Sequence, residues 1–185
     1  MAGVSIYKNF SVNDEKYTPN YAVLPILKYL PKKIIWCPFD TANSEFVLAL
    51  QESGFDVTYS HISAGQDFFE YEPPEWDIII SNPPFTDKKK VFERCLSFGK
   101  PFGLLMSNMW LNDSAPCKLF KNNELQLLMF DKRIRFDDKD IIPFGSSYYC
   151  RALLPKQIIF EELALVKGEY SRMYRDFEQL KSVVK

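Results

Sequence analysis

The sequence has few of the residues that bind metals. Its 185 residues include a single histidine, His61, and four cysteines that are widely spaced and form no Cys-x-x-Cys pair. Structural zinc sites need four cysteine or histidine ligands, usually supplied as closely spaced pairs. We therefore expect no metal site, and cysteines that stay reduced as in a cytoplasmic protein.

The sequence also lacks net charge and long apolar runs. A formal net charge of −1 gives no global positive field to concentrate the protein on nucleic acid, so any such contact has to be local. No stretch approaches the roughly 18 apolar residues of a membrane span, and the start lacks a basic region followed by an apolar run. We expect a soluble cytoplasmic protein without membrane contact.

A large apolar fraction is present. Apolar residues make up 46% of the chain and aromatic residues 16%, a composition that is typical of a globular protein and not of a disordered one. The length suits one α/β domain. We expect a single domain over residues 1–185, with a polar N-terminal arm at 1–16 and a closing helix at about 169–184.

Short apolar segments alternate with helical patterns along the chain, which favours parallel strands joined by right-handed crossovers in a doubly wound α/β sheet. Ligands bind such sheets beyond the carboxyl ends of the strands, so the loops after Phe39, His61 and Ser81 are the expected site. The predicted strands lie in the segments "KKIIWCPF", "FDVTYSHI", "WDIIISNPPF", "PFGLLMSNMW", "LQLLMFDKRIRF", "FGSSYYCRALL" and "KQIIFEEL".

The segment "IIISNPPF" ends one of these strands in an unusual way. Two prolines fix two φ angles and remove two N–H groups, so Pro83 and Pro84 form a stiff backbone whose carbonyl groups only accept hydrogen bonds. The Asn82 side chain adds an amide oxygen beside them. A planar amine could donate both hydrogens to these oxygens, and Phe85 could stack on the ring that carries the amine.

With these residues the chain resembles the amino-methyltransferases that use S-adenosylmethionine. Their signature is Asn/Asp/Ser-Pro-Pro-Tyr/Phe/Trp at the end of the fourth strand, which Asn82-Pro83-Pro84-Phe85 matches. More narrowly, "DEKYTP", "CPFDTANSEFV", "GQDFFEYEP", "IIISNPPF" and "PFGSSYYC" in this order are similar to small adenine-N6 methyltransferase-like proteins of phages and mobile elements. The resemblance implies a Rossmann-like sheet of seven strands, mostly parallel with an antiparallel last strand.

The resemblance also implies roles for particular residues. Asn82, Pro83, Pro84 and Phe85 would be catalytic, binding the acceptor amine and its ring. The S-adenosylmethionine pocket would be lined by a set of residues from four segments: Tyr17, Thr18, Pro19, Cys37, Pro38, Phe39, Asp40, His61, Asp67 and Phe68. The basic run Lys88, Lys89 and Lys90 would contact nucleic acid.

Most of these residues also have simpler interpretations. The basic run is also typical of a solvated helix face, and Asn82 to Phe85 could be a turn that ends a strand. His61 could serve as an ordinary hydrogen-bonding residue, Asp40 as a helix cap and Asp67 as a turn residue. Tyr17 and Cys37 could be packing residues.

The first loop departs from the family pattern Asp-Pro-Phe-x-Gly-x-Gly. Residues 37–44 contain no glycine, and His61 stands near the place of the family's acidic ribose contact. This departure keeps open a cofactor- or DNA-binding module that has lost catalysis. Adenine N6 in DNA is the first choice of acceptor, with the base flipped out of a duplex or already unpaired. RNA adenine and a protein glutamine amide are the alternatives.

Overall fold

The computed structural model describes residues 18–136 and 144–164. They form one seven-stranded sheet in the order β2-β1-β3-β4-β6-β5-β7, which confirms the predicted α/β class. The strands are β1 Ile35–Cys37, β2 Val57–Tyr59, β3 Ile78–Ser81, β4 Phe102–Ser107, β5 Gln126–Phe130, β6 Ser146–Arg151 and β7 Ile158–Glu161.

The central strands are buried on both faces. Every residue of β1, β3 and β4 is buried, as expected for parallel strands covered by helices on each side. Their continuous apolar sequences, such as "III" in β3 and "FGLLM" in β4, therefore reflect double burial and not the alternation of a half-exposed strand.

Helices cover the two faces of the sheet. The helices are α1 Asn20–Leu27, α2 Glu45–Glu52, α3 Lys88–Ser97 and α4 Ser114–Phe120, with 3-10 turns at Ile62–Ala64 and Asn108–Asn112. Apolar residues of α1 and α2 share one core cluster with Ile35, Ile78 and Tyr148. Those of α3 and α4 share the other with Trp36 and Ile79. The sheet is therefore doubly wound, as predicted.

The antiparallel strand is β6, which lies between β4 and β5 and pairs antiparallel to both. The prediction placed the antiparallel strand last, but β7 follows it and pairs parallel to β5, with Leu127 opposite Ile158. Only a short connection separates β6 from β7. Their directions are distinguished only by how each strand pairs with β5, which is distant in sequence.

The order in which strands are added to the sheet reverses between β1 and β3, which are parallel. From β1 the chain crosses through α2 to β2 on one side, and β3 then lies on the other side of β1. This is the topological switch point of the sheet, and the loops at the carboxyl ends of β1 and β3 meet there. The predicted helix over residues 169–184 and the arm over 1–16 lie outside the described residues.

In the part of the chain that the structure describes, none of the helices has both the length and the apolar character needed to cross a membrane.

Candidate active site

The Asn-Pro-Pro-Phe segment leaves the end of β3 at the switch point. Pro83 is buried, whereas Asn82, Pro84 and Phe85 are partly exposed. The Asn82 Nδ2 donates a hydrogen bond of 3.1 Å to Oγ1 of Thr18, which is itself buried. Because this bond fixes the donor end of the amide, the opposite end, Oδ1, is its acceptor.

Asp40 lies beside this segment, in the loop after β1. Its side chain is 7% exposed, and its Oδ2 accepts a hydrogen bond from the hydroxyl of Ser81, the residue before Asn82. Burial raises the pKa of Asp40 to about 6, while hydrogen bonds from Ser81 and Ser44 oppose that rise. The loop after β1 and the end of β3 are thus joined by a buried polar contact.

Ser60, at the end of β2, ties the first loop to the second. Its N–H donates to the Cys37 carbonyl at 3.1 Å, and its own carbonyl accepts from the Asp40 N–H at 3.2 Å. Its hydroxyl accepts from Nε1 of Trp36 at 2.9 Å. These bonds fix the backbone of residues 37–40 against the end of β2.

The first loop closes without glycine. The Thr41 N–H donates to Ser44 Oγ at 2.9 Å, and the Ser44 N–H donates to the Thr41 carbonyl at 3.0 Å. Among the described residues, the non-glycine positions with positive φ are Asp87 and Ala152, neither of which lies in this loop. The turn therefore requires none of the backbone conformations that only glycine adopts easily.

His61 and Asp67 make local bonds within the loop after β2. The His61 ring Nδ1 accepts from the Ser63 N–H at 3.2 Å and caps the 3-10 turn. The Asp67 Oδ1 accepts from the Phe69 N–H at 3.0 Å, which is an Asx-type turn. Both side chains are half-buried at the carboxyl edge of the sheet, so they shape the loop whatever else they contact.

Phe68, in the loop after β2, packs against aromatic residues of β1 and of the loop that follows it. Its ring lies 4.8 Å from that of Phe39 and 5.5 Å from that of Trp36, and it is only 2% exposed. Phe39 is the more exposed member of the pair. Cys37 is fully buried in the opposite core cluster, and burial raises the pKa of its thiol. The Cys37 side chain is therefore a core residue.

Phe85 has two neighbours at the other end of the segment. The Phe144 ring packs edge-on at 6.5 Å, and the Lys88 Nζ lies 5.5 Å from the centre of the Phe85 ring. Lys89 pairs with Glu93 at 3.2 Å, and Lys90 pairs with Asp87 at 3.0 Å. Of the predicted basic run, Lys88 is the residue beside the motif.

The structure thus brings together Thr18, Phe39, Asp40, Phe68 and Asn82, which are far apart in sequence. Pro19 is the N-cap of α1, directly after Thr18. Pro38 is buried in the first loop. Tyr17 lies outside the described residues.

Sequence reasoning missed the serines that connect these residues. Ser81 is a polar residue at the end of an otherwise apolar strand, and this exception in "IIIS" was the available signal. Ser60 has the same position at the end of β2. Asn108, which follows β4, has a buried Oδ1 with no hydrogen-bond partner in the described part of the chain, and nothing in its local sequence marks it.

One cavity lies away from this site. A cavity of about 520 Å³ opens at the amino ends of β5 and β7, lined in part by Gln126 and Gln157, at the opposite edge of the sheet.

All four cysteines are free. Within residues 18–136 and 144–164, no cluster of three or more histidine, cysteine or acidic residues could hold a metal ion.

Comparison with known proteins gives little similarity in sequence. No protein-family profile matches the chain, and no curated protein matches it. Among solved structures, the chain is similar to a Listeria monocytogenes protein provisionally described as a class I S-adenosylmethionine-dependent methyltransferase. The identity is 11%, the TM-score 0.45, and the match covers 91% of this chain and 72% of the other. At this level of similarity the comparison assigns no function to the chain.

Proposed function

We propose that the chain is an S-adenosylmethionine-dependent methyltransferase that acts on an exocyclic amine, and that this amine is N6 of adenine in DNA. The observation that most supports this proposal is the position of Asn82. It follows the last residue of β3 at the topological switch point, and its side-chain amide donates to Thr18 through Nδ2, with the acceptor Oδ1 at the other end. The neighbouring prolines add carbonyl groups that only accept hydrogen bonds.

These residues suit an amine with two hydrogens. The Asn82 Oδ1 and the Pro83 carbonyl would accept the two N–H groups and hold them out of the ring plane. That geometry returns the lone pair to nitrogen and stabilises the positive charge that develops there during attack. The methylated nitrogen is cationic and strongly acidic, so it would release one proton to solvent water, and no side-chain base is required. Phe85 would stack on the ring, and most of the acceleration would come from orientation.

The cofactor pocket would lie over the first two loops. When bound, S-adenosylmethionine supplies an activated methyl group whose bond to sulfur breaks as the bond to nitrogen forms. Phe39 is the more exposed member of the aromatic pair and would contact the cofactor, with Phe68 supporting it from the core. Thr18 and Pro19 would close the methionine end. The glycine-free turn at Thr41–Ser44 fits this role because it closes with ordinary backbone angles.

The acceptor class is tested by transfer of a labelled methyl group. The protein is incubated with methyl-labelled S-adenosylmethionine and, separately, DNA, RNA and protein pools, and the labelled product is identified by mass spectrometry. We expect label in DNA as N6-methyladenine. Label only in RNA or in glutamine would change the acceptor, and no label in any pool would contradict the proposed activity.

Nucleic-acid contact is expected to be local. Lys88 Nζ lies 5.5 Å from the centre of the Phe85 ring, so Lys88 is the lysine of this run that would meet a phosphate near the motif. Replacing Lys88 with alanine should weaken DNA binding and lower its salt dependence by about one phosphate contact. Lys121→Ala, an exposed lysine after α4, is the matched control.

A further inference from the structure

The buried carboxyl group of Asp40 is linked to the Asn-Pro-Pro-Phe segment by a single residue, Ser81. Its Oδ2 accepts from the Ser81 hydroxyl, and Ser81 is covalently followed by Asn82. Strands β1 and β3 are parallel neighbours, with Trp36 opposite Ile79, so the contact joins the loop after β1 to the last residue of β3 at the switch point. The contact is a strut between the first loop and the start of the motif.

The surroundings of Asp40 suit such a strut. Its partners are the hydroxyl groups of Ser81 and Ser44, and its backbone N–H is held by the Ser60 carbonyl. The titratable groups that face it are Cys37 of β1 and Tyr148 of β6, both buried with raised pKa values and so uncharged near neutral pH. A side chain this enclosed, with 7% of its surface exposed, has little area left for a ligand.

We propose that Asp40 is a positioning residue for methyl transfer, which fixes the Asn82 amide through Ser81 and does not itself bind the cofactor. This inference rests on the proposed function, and it replaces the cofactor contact that the family resemblance implies for Asp40. Thr18 holds the Asn82 side chain from one side. The strut from Asp40 holds the backbone that carries Asn82 from the other.

The kinetic effect follows from the geometry of transfer. Loss of the strut lets the end of β3 shift, and a displacement of about 1 Å at a reacting group can cost about 100-fold in rate. We expect Asp40→Ala and Ser81→Ala each to lower kcat about 10- to 100-fold, with cofactor affinity within a few-fold of wild type. The kcat of the double variant should be no lower than that of the less active single variant, because both substitutions remove the same hydrogen bond.

The conservative variant separates positioning from general damage. Asp40→Asn keeps an oxygen that can accept from the Ser81 hydroxyl, so its kcat should stay within about fivefold of wild type. All variants are compared at a temperature where circular dichroism shows them fully folded. Low kcat in Asp40→Ala with recovery in Asp40→Asn is the pattern that a purely structural role would not give.

A readout independent of activity is the side-chain amide signal of Asn82 in a ¹⁵N–¹H NMR spectrum, assigned by its loss in Asn82→Ala. We expect the signal to shift in Asp40→Ala and Ser81→Ala, to persist in Asp40→Asn, and the exposed Asn122 amide to be unchanged in all three. An unshifted Asn82 signal, or a tenfold loss of cofactor affinity at unchanged kcat, would overturn the positioning role. An inactive wild-type protein with the expected NMR pattern would contradict only the methyltransferase.

Discussion

At the scale of single residues, hydrogen bonds from residues distant in the sequence fix the position of Asn82. Its amide bonds to Thr18, 64 residues earlier, and Ser81 bonds to Asp40, 41 residues earlier. The motif itself was predictable, because two prolines after a buried strand constrain the backbone strongly. The pairing with Thr18 was not, because a hydrogen bond between two loops depends on how the sheet brings them together.

The bond between Asn82 and Thr18 can be tested without changing the motif. Thr18→Val has nearly the same shape but no acceptor, so the amide loses one hydrogen bond of about 0.5–1.5 kcal/mol, and kcat should fall about two- to tenfold. Thr18→Ser keeps the hydroxyl and is the control. Equal kcat in the valine and serine variants would show that the bond does not orient the amide.

Asp40 makes stability depend on pH. Its folded pKa of about 6 lies above the ordinary value of 3.8, so the folded state binds this proton more tightly than the unfolded state. The contribution of Asp40 to stability is therefore greatest below about pH 4 and is lost as the pH rises through 6.

The Asp40→Asn variant cannot lose this proton. Relative to wild type, its free energy of unfolding should rise by about 2 kcal/mol between pH 4 and pH 7, since one pKa unit corresponds to about 1.36 kcal/mol. Urea denaturation at a series of pH values measures the difference. A difference between the two proteins that stays constant with pH would show that burial does not perturb Asp40.

At the scale of elements, the strands were largely predictable and their pairing was not. Apolar runs such as "IIIS" and "FGLLMS" are bounded by proline or polar residues, which is why the predicted strands contain the observed ones. The antiparallel position of β6 depends on its pairing with both β4 and β5. Local sequence carries no information about either contact.

Gln126 joins β5 to the connection between β6 and β7. The Oε1 accepts from the N–H groups of Leu153 and Leu154 at 2.9 Å each, and the Nε2 donates to the Leu154 carbonyl at 2.7 Å. Gln126 is 6% exposed, so water does not readily replace these bonds.

Gln126→Ala should therefore destabilise the protein by about 2–4 kcal/mol, because it leaves buried backbone groups without partners. Urea denaturation gives the value, and Gln157→Ala, at an exposed glutamine of the same connection, is the control and should change stability by less than about 0.5 kcal/mol. Similar stability for the two variants would mean that the Gln126 bonds contribute little.

At the scale of the whole molecule, the order of strands creates the site. The reversal between β1 and β3 places the first loop and the Asn-Pro-Pro-Phe segment side by side, and the net charge of −1 leaves recognition to local groups. The alternating pattern predicted this architecture. It did not predict which polar residues connect the loops, since those contacts form only after the sheet is assembled.

Cofactor binding should stabilise the whole fold, since the pocket would join several loops. At a concentration of S-adenosylmethionine 100 times its Kd, the gain is about 2.7 kcal/mol, which corresponds to a rise of roughly 5–10 °C in Tm. Asn82→Ala should show the same rise, because Asn82 would contact the acceptor and not the cofactor. An unchanged Tm at millimolar S-adenosylmethionine would show that the protein does not bind this methyl donor.

The most direct test of the central claim is single-turnover methylation of a DNA oligonucleotide by wild type and Asn82→Ala, read by mass spectrometry of the released nucleosides. The exposed Asn122→Ala variant is the matched control. We predict N6-methyladenine from wild type and from the control, and none from Asn82→Ala despite unchanged cofactor affinity. N6-methyladenine formed by Asn82→Ala at the wild-type rate would contradict the role of the Asn82 amide in binding the acceptor amine.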